Sequence, residues 1–280
     1  MRRAHHFAGK PGGFAPPGAT LSISHGIEGC SFCVHDAGGE VVAFAHEPYE
    51  DDAPGARFAR LQEVVAAEPL LAGEYGRVIV ATNYREKMLL PDRFCREEQL
   101  PLLWSFHHET PASGHFPSYP VEEWQARVVS VLPDRTRQLF RQLQPGCRFL
   151  PGGASLARLA ARACRDESDQ LFIDVHGDYF DLLVTRDRRP LLFNAFHHET
   201  GQDILYFTLN AARNCHLDEK RTRLYLTGDV SPRGKLYEQF SRYWSSPRLL
   251  AEPALTAFLQ DPAFNTSPFV HLLNLHACVS

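Results

Sequence analysis

Two stretches of the chain, 150 positions apart, carry one plan of three strands and two tight turns. The first, Leu21 to Tyr49, reads as strands Leu21–Ser24, Ser31–His35 and Glu40–Ala45, with Gly26 and Gly29 in the first turn and Gly38-Gly39 in the second. The second, Leu171 to Glu199, reads as Leu171–Val175, Phe180–Thr185 and Leu191–Phe196, turning at His176-Gly177-Asp178 and again through Arg186 to Arg189. Laid on each other, Leu21 falls on Leu171, Ile23 on Ile173, Ser24 on Asp174, Phe32 on Leu182, Val34 on Val184 and Val41 on Leu191, and both turns match without a gap. Such a repeat constrains the chain to two similar halves, and an internal duplication accounts for the shared register. Strand side chains alternate, so Tyr179, Asp181, Leu183 and Thr185 share one face and Phe180, Leu182 and Val184 the other.

A helix is predicted after each meander. Phe58, Leu61, Val64 and Val65 recur at helical spacing after the first, and Ile204, Thr208, Ala211 and Cys215 after the second, with Thr200 as N-cap and Asp203 three residues on. The second half continues with a strand, Arg223–Leu226, a turn, Thr227-Gly228-Asp229, and a helix opened by Ser231-Pro232 with Leu236, Phe240 and Tyr243 on one stripe. Its counterpart in the first half reads as Arg127–Leu132, then Pro133-Asp134, then a helix through Leu139 and Leu143, which sets Asp134 opposite Asp229. Residues 77–124, with the apolar strand Val78–Ala81 and a loop from Thr110 to Pro120, then read as an inserted subdomain. Arg148–Leu150 is a short strand, Gly152-Gly153 opens a helix with Leu156, Leu159, Ala160 and Ala163 inward, and Ser267-Pro268 opens a last helix through Val270, Leu272, Leu273 and Leu275. The expected organisation is a flexible tail over 1–20, rich in Gly, Pro and His, a first half over 21–168 and a second half over 169–280.

The run FIDVHGDYFDLLVTRDRRPLLFNAF, the turn LYLTGDV and the segment LLNLHACV resemble the DUF3822 family, bacterial proteins of unknown function with an actin-like ATPase fold. The resemblance extends over nearly the whole chain from about Leu21, with a more distant likeness to actin-like pilus and secretion proteins of the PilM and GspL kind. It implies an α/β, duplicated actin-like fold of the Hsp70, actin, sugar-kinase and ribonuclease H-like type, with two lobes and a cleft between them. In an active protein of that fold, each meander's first turn holds an acidic residue and glycines. Backbone N–H groups there contact phosphate, the carboxylate holds a metal ion through water, and a glycine pair in the second half contacts adenosine. On this chain those positions are Ser24 and Gly26, Asp174 and Gly177, and Gly228 with Asp229.

Each loop departs from that pattern. Serine stands at the first acid position, and Glu28 and Asp178 add negative charge where phosphate would sit. Val175 and His176 follow Asp174 in place of small residues, and the adenosine-type turn has one glycine instead of two. Phosphoryl transfer depends almost wholly on positioning and electrostatics, so turnover is not expected. The expected function is a non-catalytic binding or scaffold module with degenerate nucleotide loops and no cofactor, whose partner is an unknown protein or a second copy. The alternative is an ATPase-like switch or kinase that uses the cleft with ATP and Mg.

Other features exclude more than they suggest. The net charge of -4 gives no basic footprint, which argues against nucleic acid. No apolar run approaches the roughly 20 residues a membrane-spanning helix needs. No apolar core follows the basic residues of MRRAHHFAGKPGG, so no secretory signal is read there. Seven cysteines without regular spacing fit a reducing cytoplasm. Cys30 and Cys33 have CxxC spacing but span a turn-to-strand junction, where no helix N-terminus would activate a thiol. FHHET occurs at Phe106–Thr110 and Phe196–Thr200, a shift of 90 that does not follow the 150-residue repeat, and adjacent strand residues face opposite ways. Neither copy, nor His5-His6, reads as a metal site.

Overall fold

The computed structural model describes residues 5–8, 16–49, 54–109, 113–163, 168–232 and 234–279. In chain order its strands are β1 (His5–Ala8), β2 (Thr20–Gly26), β3 (Gly29–His35), β4 (Val41–Pro48), β5 (Arg77–Asn83), β6 (Lys87–Pro91), β7 (Ser118–Val121), β8 (Ala126–Ser130), β9 (Arg148–Pro151), β10 (Gln170–Val175), β11 (Tyr179–Arg186), β12 (Arg189–His197), β13 (Arg223–Gly228) and β14 (Arg248–Leu249). The helices are α1 (Pro54–Ala67), α2 (Leu100–His107), α3 (Asp134–Leu143), α4 (Ala154–Ala163), α5 (Gly201–Asn214), α6 (Lys235–Phe240), α7 (Pro253–Leu259) and α8 (Val270–Asn274), the last preceded by a 3₁₀ turn at Ser267–Phe269.

Two sheets share one plan. The first runs β1-β4-β3-β2-β5-β9 and the second β12-β11-β10-β13-β14. In the first, Thr20 pairs with His35 and His25 with Cys30; in the second, Gln170 pairs with Thr185 and Val175 with Phe180, the same register displaced by 150. The slip between the second and third strands recurs at the same place, after Val34 in one meander and after Val184 in the other. A parallel strand then joins each first strand, Arg77 beside Thr20 and Arg223 beside Gln170.

Each sheet has an outer face under helices and an inner face toward the other lobe. Leu21, Ile23, Phe32 and Val34 meet Leu61, Val64 and Val65 of α1 and Phe140 of α3. Leu171, Ile173, Phe180 and Leu182 meet Ile204 and Ala211 of α5 and Phe240 of α6. Phe44 and Ile79 from the first sheet and Phe172, Leu183 and Tyr225 from the second share one core with Leu156 and Ala160 of α4 and Leu272 and Leu273 of α8. Burying one such side chain contributes about 1.5–3 kcal/mol. The two filling helices cross over: α8, late in the chain, lies against β2 and β3, whereas α4, from the first half, touches β10 and α8. A third sheet, β6-β8-β7, covers Leu100 and Trp104 of α2 with Met88, Leu90 and Val129.

Four expectations change. The strand matching Arg223–Leu226 is β5, not Arg127–Leu132, because β5 lies parallel to β2 as β13 does to β10, while β8 pairs with β6 and β7 in the third sheet. Val78–Ala81 therefore belongs to the first sheet, and the residue opposite Asp229 is Asn83, not Asp134. The apolar pattern RVVSVL was a sound strand signal attached to the wrong sheet. Secondly, His5–Ala8, within the expected tail, forms an antiparallel strand on β4; the rest of 1–15 lies outside the described residues. Thirdly, α6 starts at Lys235, since the Gly234 N–H donates to the Ser231 carbonyl (2.9 Å) and closes a turn where the helix was expected to begin; Tyr243 falls beyond it, 47% exposed. Fourthly, Pro253–Leu259 forms a helix, with Pro253 in its first turn, in a segment with no expected element.

The two FHHET segments share no structure. His107 ends α2, with Thr110 outside the described residues, whereas Phe196 and His197 end β12 and Thr200 caps α5. Among the described residues no helix is long and apolar enough to cross a membrane.

Candidate functional site

The second meander builds a buried polar cluster by simple alternation. Asp174 on β10 lies directly across from Asp181 on β11, and His176 follows Asp174 by two, so all three point to the inner face. Asp174 and Asp181 are 2% and 1% exposed. His176 Nε2 lies 2.8 Å from Asp174 Oδ2 and 3.8 Å from Asp181 Oδ2. Lys87, the first residue of β6, donates its ammonium group to both Asp181 oxygens. The Tyr179 ring stacks on His176 at 4.3 Å and lies 5.0 Å from the Lys87 nitrogen, and its hydroxyl donates to the Asn83 carbonyl at 3.3 Å. From α8, His271 brings Nε2 to 2.7 Å from Asp174 Oδ2. His271 Nδ1 and Asp174 Oδ1 have no hydrogen-bond partner.

The electrostatics follow from this crowding. Burial would raise the Asp174 pKa, but His176 and His271 outweigh it and hold the carboxyl below the usual carboxylate range. Burial would lower the His176 pKa, but Asp174 and Asp181 push it up to about 10. Burial first, then the same two carboxylates, drives the Tyr179 hydroxyl well above its ordinary value. Two carboxylates, a lysine and a protonated histidine thus pair under Tyr179. Removing one member of such a set is costly, because the other charge stays buried.

Above this cluster a cavity of about 280 Å³ opens between the lobes. Ser24, Gly26 and Glu28 line it from the first lobe, and His176, Asp229 and His271 from the second. Ser24 Oγ accepts a hydrogen bond from Asn83 Nδ2 at 2.8 Å. Gly26 lets β2 pass close to β5, since a Cβ there would meet the Asn83 carbonyl oxygen at 2.7 Å. Glu28 reaches across to the other lobe's turn, its Oε1 3.5 Å from where a Gly177 Cβ would stand. Gly228, at φ +82°, is held to glycine, because a Cβ would collide with the Val175 carbonyl and come within 2.7 Å of Asp174 Oδ1. The Asp229 N–H donates to the Val175 carbonyl at 2.8 Å.

Of the residues singled out from sequence, Ser24, Gly26 and Asp229 meet at the cavity. Gly177 and Gly228 shape the turns beside it, and Asp174 sits beneath the two histidines. Sequence reasoning missed the roles of His176, Asp181, Lys87 and His271. The first two were within reach, because alternation puts Asp181 on one face with Tyr179 and Leu183 and places His176 with Asp174. Nothing local announced Lys87 or His271. Cys30 and Cys33 lie on opposite faces of β3, in different cores, with both thiols raised by burial, so no redox pair forms.

Comparison with known proteins agrees with this architecture. A family model described as "Protein of unknown function (DUF3822)" matches residues 17–246. A crystal structure from Bacteroides thetaiotaomicron VPI-5482, a protein with actin-like ATPase fold and unknown function, is similar with a TM-score of 0.76 at 19% identity, over 87% of this chain and 96% of that one. A PilM–PilN type IV pilus biogenesis complex is similar with a TM-score of 0.59 at 14% identity, over 93% and 98%. No curated protein matches the sequence. The fold is therefore an actin-like α/β fold with two similarly built lobes.

Proposed function

We propose, for a chain that belongs to the DUF3822 family, that it acts as a non-catalytic actin-like binding or scaffold module of the cytoplasm and that its cleft does not take Mg-nucleotide. The observation that carries this reading is the clamping of Asp174 by His176 and His271 at 2.8 and 2.7 Å. In the fold's nucleotide sites the corresponding carboxylate is open to the waters of a hydrated magnesium ion. Here imidazole rings stand in that place, and magnesium, which prefers oxygen ligands, has no means to displace them. Ser24 supports the reading from the other side, being a neutral hydroxyl already bonded to Asn83. Glu28, at the turn that would cradle phosphate, adds an unfavourable charge. Fold and register support an origin by duplication, with one copy of the acidic position lost.

On this reading Ser24, Gly26, Asp174, Gly177, Gly228 and Asp229 are inherited turn residues that now set lobe geometry. The working surface is a lobe face that binds a partner protein or a second copy. The test is a thermal melt with Mg and a panel of ATP, ADP, GTP and GDP. A nucleotide at 100 times its dissociation constant would stabilise the fold by about 2.7 kcal/mol, which a melt resolves. No shift is expected. A shift that Asp174→Ala abolishes would overturn the proposal in favour of a nucleotide-dependent switch or kinase.

A further inference from the structure

The cluster beneath the cleft has a second property, which concerns nitrogen-preferring metals. Asp174, His176 and Asp181 each offer one donor atom, all within 4.8 Å of one another. His271 adds a fourth from α8, 2.7 Å from Asp174 Oδ2. Metal–ligand bonds of about 2.0–2.2 Å in a tetrahedral site set neighbouring donors roughly 3.4 Å apart. The separations from the two histidines to the carboxylates, 2.7, 2.8 and 3.8 Å, lie on either side of that value.

A second observation points to the same place. His271 is 8% exposed and meets the cluster through Nε2, yet its Nδ1 has no hydrogen-bond partner, nor has Asp174 Oδ1 at 2% exposure. Buried polar atoms in folded proteins are nearly always satisfied, and an exception asks for an explanation such as an ion. Lys87 already donates to both Asp181 oxygens, so Asp181 would ligate through a lone pair that the ammonium leaves open, with the lysine holding the carboxylate in place.

We propose that Asp174, His176, His271 and Asp181 form a binding site for a divalent transition-metal ion of the zinc class. Two imidazoles with carboxylates suit zinc, cobalt or nickel, whereas magnesium and calcium take oxygen. The ion would take the place of the proton that His176 holds against the carboxylates, releasing it to solvent, and would pin α8, which lies on the first lobe's strands, to the second lobe's β10. The proposal rests on the reading that this carboxylate does not serve Mg-nucleotide, and its test separates the two.

Protein freed of metal with EDTA is titrated with Zn²⁺ and, separately, with Mg²⁺, following heat release and melting temperature. One equivalent of Zn²⁺ with a raised melting temperature is expected, with no response to Mg²⁺. His176→Gln and His271→Gln should each weaken zinc binding at least about tenfold, while His197→Gln, at an exposed position, should leave it unchanged. Because cluster variants can lose the fold, Co²⁺ is added to the unaltered protein, where strong visible bands report a four-coordinate site with nitrogen ligands. Weak octahedral bands, no zinc binding, or zinc binding that survives both cluster substitutions would overturn the proposal. The last would assign the ion to surface histidines. A melting shift with Mg-ATP would instead strike at the nucleotide reading, leaving the zinc result to stand or fall on its own.

Discussion

The two lobes use one backbone frame for opposite chemistry. Ser24 faces Ser31 across the first pair of strands, and Asp174 faces Asp181 at the equivalent position of the second. In the first lobe the polar pair is neutral and satisfied nearby, Ser24 by Asn83 at 2.8 Å and Ser31 by His46 at 2.8 Å. In the second lobe the pair is charged, and most of what balances it comes from outside the meander. Lys87 arrives from the third sheet and His271 from α8; only His176 is local. A neutral pair leaves its lobe self-contained, whereas a buried acidic pair draws partners from elsewhere and ties three parts of the molecule together.

The comparison can be broken most directly at the two strand pairs. Asp181→Ala leaves Lys87 buried without its counter-charge and should cost about 3–5 kcal/mol in urea unfolding. Ser31→Ala removes one hydrogen bond and should cost about 1 kcal/mol. Equal losses would mean that the charged pair has no special standing. Combining Asp181→Leu with Lys87→Met should recover most of the deficit, because a well-packed apolar pair replaces a buried ion pair at little cost.

A second contrast lies where the parallel strands end. Gly228 pairs with Val175 as Thr82 pairs with His25, so one lobe accepts a side chain where the other cannot. Gly228→Ala should lose about 3 kcal/mol through strain and collision with the Val175 carbonyl, and Thr82→Ala about 1 kcal/mol or less, measured by the same unfolding experiment.

Acid and alkali sharpen the contrast further. Burial holds His25 at a pKa of about 4, so the unfolded chain takes up a proton near 6.5 before the folded one does. His25 therefore lowers stability as pH falls from 6.5 through 4. His176 behaves in the opposite sense: raised to about 10, it contributes fully below 6.5, and that contribution is lost as pH rises through 10. Unfolding midpoints of chelator-treated protein at about pH 4.5, 6.5 and 9.5 should show His25→Leu flattening the acid limb by roughly 2 kcal/mol and His176→Gln the alkaline limb by roughly 3–4 kcal/mol. The opposite assignment would reverse the account of the two lobes. A small effect that does not depend on pH belongs to the helix after the second meander. Thr200 and Asp203 form a capping box there, and Thr200→Ala should cost about 1 kcal/mol at any of these pH values, read from the same midpoints.

Local rules made most of the frame legible. Strand alternation, glycine turns and the Thr200 cap placed both meanders and the first helix of each half. Matching the two by position fixed a register that the ladders reproduce residue for residue. The same rules mispaired Arg127–Leu132, since apolar alternation marks a strand without naming its sheet. The site was half legible. Asp174 and Asp181 follow from period-two reasoning, but Lys87 is 94 residues from the carboxylate it serves and His271 nearly 100 from Asp174. No pattern within a window of the chain encodes a contact of that range, which exists only once two sheets and a helix have met.

The crossing of α8 has a consequence for how the protein is made. Its residues cover the inner side of β2 and β3, roughly 240 positions earlier in the chain. During synthesis the first sheet can form and take α1 and α3 onto its outer side, but its inner apolar surface stays uncovered until the ribosome has released the segment around Val270. Elongation at about 5–20 residues per second leaves that surface exposed for roughly 10–50 seconds, the interval in which a nascent chain of this kind most depends on chaperones.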